Sequence, residues 1–358
     1  MSVLEIKVGV DHPHIMREST KFKESMETNT LFSSEIIQKF KSTQTAQVLQ
    51  PIQVGQTARQ NELLFFVKPE LLIVKDNHKV LNSLALIQQK FSQWDVEVCG
   101  AAIIPGGVLD EHEIMNRHYG FINQLSRKAS TMINDDIRAE MYNLLELTDD
   151  GTHQVLGGHE FLSFFNADLV QLSDLWFGKG ACKLRSGFYF VETSFQDNPI
   201  ILVNGFHPSQ LQHFTREDHR IYLLLLHTNA DWYEMKFDLV GDTFPENAKP
   251  ESIRGCLFAD PDHFGLEKVS INTNGVHLSA GPFEAAFEIQ NFFGSLSGSN
   301  IEVQLPLAVK RAIEAGLSPQ IAQSLLDNPT SKDQDLFTET ENMNTDAAVE
   351  LAKKWFLS

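Results

Sequence analysis

The run HRIYLLLLHT, residues 219–228, is apolar at every position from Ile221 to Leu226. A strand with one wet face alternates apolar and polar residues, so an unbroken apolar run belongs to a strand buried on both faces. A second such run, ELLFFVKPELLIV at 62–74, is interrupted only by Lys68 and Pro69, and its strand is expected to end at the Pro. Between them HKVLNSLALIQQKF carries Val80, Leu81, Leu84, Leu86, Ile87 and Phe91 at helical spacing, and VEVCGAAII at 96–104 is the next strand, closed by the turn PGG at 105–107. The segment 109–128 is a single amphipathic helix with acidic residues in its first turn, where the helix dipole favours them. NADWYEMKFDLVG, 229–241, is a helix ended by Gly241. With 42% hydrophobic residues and 26 Phe among 358 residues, there is material for a large core.

This order predicts an α+β fold, a mostly antiparallel sheet covered by helices. No Gly-rich loop joins the first strand to the first helix, which argues against a doubly wound dinucleotide fold. Four segments follow: an N-terminal extension (1–57) with one or two short helices; a core in two pieces (58–127 and 205–294); an insertion (128–204) with a small sheet and helix of its own; and a helical C-terminal extension (295–358). In the last segment GSLSGSN is a linker, Ser318 and Pro319 start a second short helix, the acidic stretch 328–344 is expected to be mobile, and TDAAVELAKKWF is a final helix.

The formal net charge of -18 excludes bulk attraction to nucleic acid or an anionic membrane, while leaving room for a small phosphate ligand held by two or three cations. No apolar run approaches the roughly 18 residues of a membrane span, and the first residues do not resemble a secretory signal. Cys99, Cys182 and Cys256 are far apart and fit reduced thiols in a cytoplasmic protein. HFTREDH and DPDH bring His and acids together without zinc-like spacing.

Four separated pieces offer groups suited to phosphoryl transfer, which needs cations on the phosphates and a nucleophile in line. Lys68 ends a buried strand, an odd place for a cation unless it meets an anion. His118 and Tyr119 sit side by side, Thr243 and Arg254 flank the loop GDTFPENAKPESIRG, and His277 is surrounded by Asn274, Ser279 and Glu288. An isolated histidine near a strand end is most often structural; the company of the other three pieces is what singles out His277.

Together, VKPE at 67–70, EHEIMNRHYGF, VGDTFP with SIRG, and NGVHLSAGPFEAAFEI resemble, in the same order, the motifs of the nucleoside diphosphate kinase family. The resemblance covers roughly residues 62–127 and 205–293. It implies a ferredoxin-like antiparallel sheet covered by helices, and a phosphotransferase moving the γ-phosphate of a nucleoside triphosphate through a phosphohistidine to a nucleoside diphosphate or related acceptor. By it, Lys68, Tyr119, Thr243 and Arg254 hold phosphates, Asn274 bonds the sugar side, His277 is the nucleophile, and Ser279 and Glu288 orient and polarise its ring. Mg²⁺ comes with the nucleotide, held by its phosphates; the bulk of the insertion and C-terminal helices leads to the expectation of a homodimer or monomer and not a hexamer. Leu278 and Ala280 depart from the family's His-Gly-Ser-Asp, and Phe237 stands where a second phosphate-binding Arg is expected, with Lys236 beside it as a substitute. The insertion occupies the stretch that carries the base clamp, which leaves Phe206 and Leu211 as candidates for a relocated one. The alternative is a catalytically degenerate kinase-fold module that binds a nucleotide or a protein partner.

Overall fold

The two continuously apolar runs become neighbouring strands at the centre of one sheet. The computed structural model describes residues 30–185, 187–296, 304–331 and 334–357. Along the chain run β1 (Gln47–Gln50), β2 (Asn61–Val67) and β3 (Glu97–Pro105), then β4 (Gln154–Gly157), β5 (Cys182–Arg185), β6 (Phe188–Phe195) and β7 (Asn198–Val203), and then β8 (Arg220–Thr228) and β9 (Val276–Leu278). A five-stranded sheet has the order β1-β3-β8-β2-β9, every neighbouring pair antiparallel. A four-stranded sheet, β4-β7-β6-β5, is antiparallel except for the pair β4–β7. The fold is α+β, with mostly antiparallel sheets covered by helices.

Every residue of β2 and β8 is buried. Their side chains still alternate: Leu63, Phe65, Val67, Tyr222, Leu224 and Leu226 feed one hydrophobic cluster, and Leu64, Phe66, Ile221, Leu223 and Leu225 feed the other. Both faces are apolar because both are covered. Helices α1 (Ser34–Ser42) and α2 (Asn77–Gln93) pack Ile36, Phe40, Leu84, Ile87 and Phe91 onto the first face. The second face receives Ile114 and Met115 of α3 (Ile114–His118), and lies away from α4 (Gly120–Met132), which serves the small sheet. It is completed by Leu211 and Phe214 of α5 (His207–Thr215) and, past α6 (Ile253–Ala259) on the opposite face, by Ile289, Phe292 and Phe293 of α7 (Pro282–Gly294). Each fully buried Leu, Ile or Phe contributes about 1.5–3 kcal/mol, so this double-sided core dominates the stability.

Several local expectations are corrected. The helix expected over 109–128 is broken into Gly106–Glu111, α3 and α4, because Glu113 takes a left-handed φ of 49° and Tyr119 leaves the helical region at φ −95°, ψ 32°. The second break is what turns His118 and Tyr119 toward β2. PGG is a helix start and not a turn; a Cβ on Gly106 would stand 2.0 Å from the Arg216 carbonyl oxygen. Pro69 ends β2 as expected but opens a short helix, Pro69–Leu72. In the helix ended by Gly241, residues Met235–Val240 are wound as a π-helix. The N-terminal extension is no loose appendage from residue 30 onward: α1 is docked on the core, and β1 covers the outer edge of β3. Residues 1–29 and most of the expected linker at 294–300 lie outside the described residues. The stretch 328–344, expected to be mobile, contributes a short hairpin (Thr330–Ser331 with Gln334–Asp335) and a helix, Leu336–Glu339, whose Leu336 is buried against α7. Leu336 and Thr340 act as apolar and polar anchors that the acidic composition concealed.

The small sheet carries helices on both faces. Leu125, Met141 and Tyr142 pack on Phe188, Phe190 and Ile201, while Phe161, Leu172 and Trp176 pack on Val191, Ile200 and Leu202. The C-terminal helices Leu307–Glu314, Pro319–Ser324 and Thr345–Leu357 cover the outer side of α7 through Ala308, Val309, Ala348 and Ala352 against Phe283 and Ala286. No helix among the described residues is long and apolar enough to cross a membrane.

Both terminal segments are tied to the start of β2. Buried Glu62 accepts from the backbone N–H groups of Gly55 (2.6 Å) and Leu307 (2.8 Å), and lies 2.9 Å from His227 Nε2. Asn61 accepts from Thr345 N at 2.9 Å and donates to Asn344 at 2.8 Å. Substituting Glu62→Leu strands three buried donors, and removing one side of such a cluster costs about 3–5 kcal/mol. Urea unfolding should show that loss, and limited proteolysis should release both terminal segments first; an unchanged midpoint would mean that Glu62 holds nothing together.

Candidate active site

β9 pairs with β2 in a register that sets Phe66 opposite His277 and Val67 opposite Val276. The imidazole of His277 stacks on the Phe66 ring, centroids 4.5 Å apart and planes 18° apart. The turn into β9 depends on Gly275, at φ +81°, where a Cβ would stand 2.5 Å from a Leu257 methyl carbon. Its carbonyl accepts from Lys68 N and its N–H donates to Glu70 Oε1, both at 2.9 Å. One short turn thereby fixes the ends of both strands.

Glu288, on the second turn of α7, is fully buried and anchors the histidine. Oε1 lies 2.9 Å from His277 Nε2, and Oε2 accepts from Ser279 Oγ at 2.5 Å. Ser279 is itself locked to β2: its hydroxyl accepts from Leu64 N, and its N–H donates to Leu64 O, both at 3.0 Å. Burial pushes the Glu288 carboxyl up. The charge and hydrogen bond of His277, the nearby His118 and the Ser279 hydroxyl outweigh it, leaving the carboxyl below the usual range. An ionised carboxylate only accepts, so Nε2 of His277 is the donor toward Glu288, and in the neutral ring Nδ1 then holds the lone pair. No described residue hydrogen-bonds to Nδ1, and the side chain keeps 18% exposure. One ring nitrogen is thus held by the carboxylate while the other is left open.

His118 stands edge-on to His277, centroids 4.9 Å apart. Its side chain is 4% exposed, and burial pulls it down to about 3, so it stays neutral. His118 Nδ1 is 3.2 Å from Glu288 Oε1 without hydrogen-bond alignment and finds no other partner. Tyr119 is next to it, partly buried between His207 and Phe214; burial raises its phenol, and Glu288 and Glu70 raise it further, so it remains a donor.

Two buried cations lie beyond the strand ends. Lys68 donates from Nζ to Asn274 Oδ1 at 2.6 Å, and Asn274 donates to the carbonyls of Thr243 and Ile271 at 3.2 Å each. Arg254 donates from its two terminal nitrogens to the carbonyls of Gly241 and Val276, both at 2.9 Å, while its buried Nε has no partner. Burial pulls Lys68 down to about 8 and Arg254 to about 10, each partly opposed by Glu70. Glu70 also meets His213 Nε2 at 2.8 Å. Two desolvated cations thus face Glu70, already engaged by Gly275 and His213, and Asp242, which also acts on Arg254; an oxyanion close to such buried cations is attracted more strongly than in water.

Lys68, Tyr119, Arg254, Asn274, His277, Ser279 and Glu288 therefore gather around the β2–β9 ends. Thr243 joins through its backbone carbonyl, with its side chain exposed. Phe206 and Leu211 do not form two walls of one slot: Phe206 packs on Trp176 and Tyr189 in the insertion, and Leu211 is buried beneath the main sheet. Lys236 is paired with Glu341 of the C-terminal segment and lies over the Phe237 ring, and so offers no free cation in place of the expected Arg. Three participants were given no site role from sequence. His118 was named beside Tyr119, Glu70 was inside a quoted motif, and His213 stood in HFTREDH, set aside for lack of zinc-like spacing. Of the metal-capable residues, His118, His277 and Glu288 bring one donor atom each within 4.8 Å of the others. Two surface cavities, of about 320 and 240 Å³, are lined by other residues. Comparison with protein-family models and with curated proteins returns no match to this chain.

An anion held here should depend on the charge of Lys68. Its depressed value means that the folded protein loses this proton as pH rises through about 8, and attraction to an anion falls with it. Thermal stabilisation by inorganic tripolyphosphate should therefore decline between about pH 7 and 9 in the wild type more steeply than in Lys68→Met. Parallel curves for the two proteins would remove Lys68 from the anion site.

Proposed function

We propose that the protein is a nucleoside diphosphate kinase-like phosphotransferase working through phospho-His277. The observation that carries this reading is the His277–Glu288–Ser279 chain of hydrogen bonds, which leaves Nδ1 as a directed lone pair beside two buried cations. The fold supports it as well. Counting β2, α2, β3, β8, α6 and β9, the chain follows a β-α-β-β-α-β path with spatial order β9-β2-β8-β3, the ferredoxin-like arrangement.

In the proposed cycle Nδ1 attacks the γ-phosphorus of a nucleoside triphosphate. An N–P bond forms, the bond to the β,γ-bridging oxygen breaks, and the diphosphate leaves with that electron pair. The ring gains positive charge, which the Glu288 carboxylate stabilises through Nε2–H. An acceptor phosphate oxygen then attacks phosphorus on the same side of the pocket and returns the lone pair to Nδ1. Arg254 and Lys68 offset the charge on the phosphate oxygens, and Tyr119 donates its O–H. Mg²⁺ prefers an all-oxygen octahedron, which the nitrogen-rich trio at Glu288 does not supply. In this reading it arrives on the nucleotide's phosphates, and no protein group is assigned to it. Phe244 and Ile271, exposed apolar side chains on the segments whose carbonyls hold Asn274, are better placed than Phe206 and Leu211 to face a base.

A second reading, a nucleotide- or protein-binding module without turnover, is favoured by one observation: both terminal nitrogens of Arg254 already serve backbone carbonyls, and Lys236 already serves Glu341. Incubation with γ-labelled ATP and Mg²⁺ separates the two. The phosphotransfer reading expects an acid-labile, alkali-stable label that disappears in His277→Ala, together with Mg-ATP binding weakened about 10- to 100-fold in Arg254→Ala, since a charge-assisted bond to phosphate is worth about 1.5–3 kcal/mol. ATP binding without label in the wild type would establish the module instead.

A further inference from the structure

His118 Nδ1 and His277 Nε2 approach the same oxygen of Glu288 from two sides, at 3.2 and 2.9 Å. Ligand atoms around a tetrahedral cation with bonds of about 2.0–2.1 Å stand roughly 3.3 Å apart, close to these two separations, and all three donor atoms lie within 4.8 Å of one another. A second observation is independent of the spacing. His118 Nδ1 is buried and unpartnered, on a side chain only 4% exposed, and a nitrogen in that position is normally satisfied by something.

We propose that His118, His277 and Glu288 form a binding site for one borderline transition-metal cation of the Zn²⁺ class, and that its capture switches off phosphorylation of His277. The site stands on the geometry alone; the switch rests on the phosphotransfer reading. Two imidazole nitrogens and one carboxylate oxygen suit Zn²⁺ or Co²⁺ and are a poor set for Mg²⁺. The supports are already in place. Ser279 holds the other carboxylate oxygen at 2.5 Å, and the rings of Phe66, Tyr119 and Phe292 surround the His118 imidazole. Such outer contacts set the direction of each ligand.

The switch follows from where one proton goes. Before capture, Nε2 of His277 bears the proton and Nδ1 the lone pair. The cation takes a lone pair on Nε2, and the proton passes to Nδ1. The ring stays neutral, but the Nδ1 pair is now spent on an N–H bond and cannot attack phosphorus. His118 contributes its Nδ1 pair while its own proton stays on Nε2. Capture therefore silences the nucleophile without occupying the phosphate region around Lys68 and Arg254.

The test uses the full chain, stripped of metal and free of nucleotide, titrated with Co²⁺ by visible spectroscopy and with Zn²⁺ by calorimetry. The expected result is one Co²⁺ per chain with the intense absorption of a four-coordinate ion, displaced by Zn²⁺. His118→Asn and Glu288→Gln should each weaken Zn²⁺ binding by about tenfold or more, whereas His78→Ala, at an exposed histidine on α2, should not. Should Glu288→Gln fail to fold, His118→Asn carries the comparison. Absence of binding, or equal affinity in wild type and His118→Asn, overturns the site. One equivalent of Zn²⁺ should also abolish the acid-labile label; metal binding with undiminished labelling overturns the switch and leaves the phosphotransfer reading standing. A metal-free wild type that never labels overturns that reading and the switch together, while the Co²⁺ spectrum still decides the site.

Discussion

A fully buried carboxylate must be repaid by donors or it will not stay ionised, and Glu288 is where this chain meets that requirement. Desolvating such a group costs several kcal/mol, and the donors that offset the cost come from one stretch of chain. His277 lies on β9 and Ser279 directly follows that strand. Ser279 in turn hydrogen-bonds to Leu64 at the middle of β2. The same few bonds dock the short edge strand β9, seat α7 on the sheet and fix the imidazole. A three-residue strand has little pairing energy of its own, so its register depends on the carboxylate behind it. The bonds that fix the His277 imidazole are the bonds that complete the sheet.

The central strand β2 is chemically asymmetric between its ends. At its start Glu62 and Asn61 are saturated: each hydrogen bond they offer is taken by the N-terminal arm, by β8 or by the C-terminal helices. At its end Lys68 and Arg254 are buried with one carboxylate between them, and the Nε of Arg254 is left without a partner. Natural folds satisfy buried polar groups wherever nothing else is demanded of them. An unsatisfied end opposite a satisfied one is what the proposed anion site would require of this strand. The neighbouring π-helix at Met235–Val240 fits that pattern, since such windings are strained and concentrate at functional sites.

Much of this was legible in the sequence because it rested on local, periodic signals. The continuous apolar runs gave β2 and β8 with their two-sided burial, and Ser318 before Pro319 gave the cap of a late helix, whose Ser accepts from Ile321 N. Lys68, Asn274, His277, Ser279 and Glu288 were singled out through short motifs, and they do lie together at the β2–β9 ends. What escaped depended on tertiary context. The break at Glu113 needs a left-handed residue with no Gly or Asn to announce it. The stretch 328–344 is acidic on its surface yet ordered by two buried contacts, Leu336 and Thr340, that composition averages away. Phe206 and Leu211 were chosen by proximity along the chain to the returning strand, whereas burial sent them into two different clusters. His213, far from every motif, reaches Glu70 only because α5 crosses the face of the sheet.

The insertion is joined to the candidate site by more than its two chain crossings. The chain enters it along α4, which begins at the helix break at Tyr119, and passes from it into α5, which carries His207 and His213. His207 lies edge-on to Tyr119 at 5.8 Å and is 3.2 Å from Asn123 Oδ1, while His213 grips Glu70, the carboxylate that also receives Gly275 N. A rotation of α5 relative to the main sheet would therefore act on Tyr119 and on the β9 turn at once. α4 also packs on the small sheet of the insertion. The two helices that flank the insertion thereby carry its packing to Tyr119 and Glu70, so the placement of those groups depends on it.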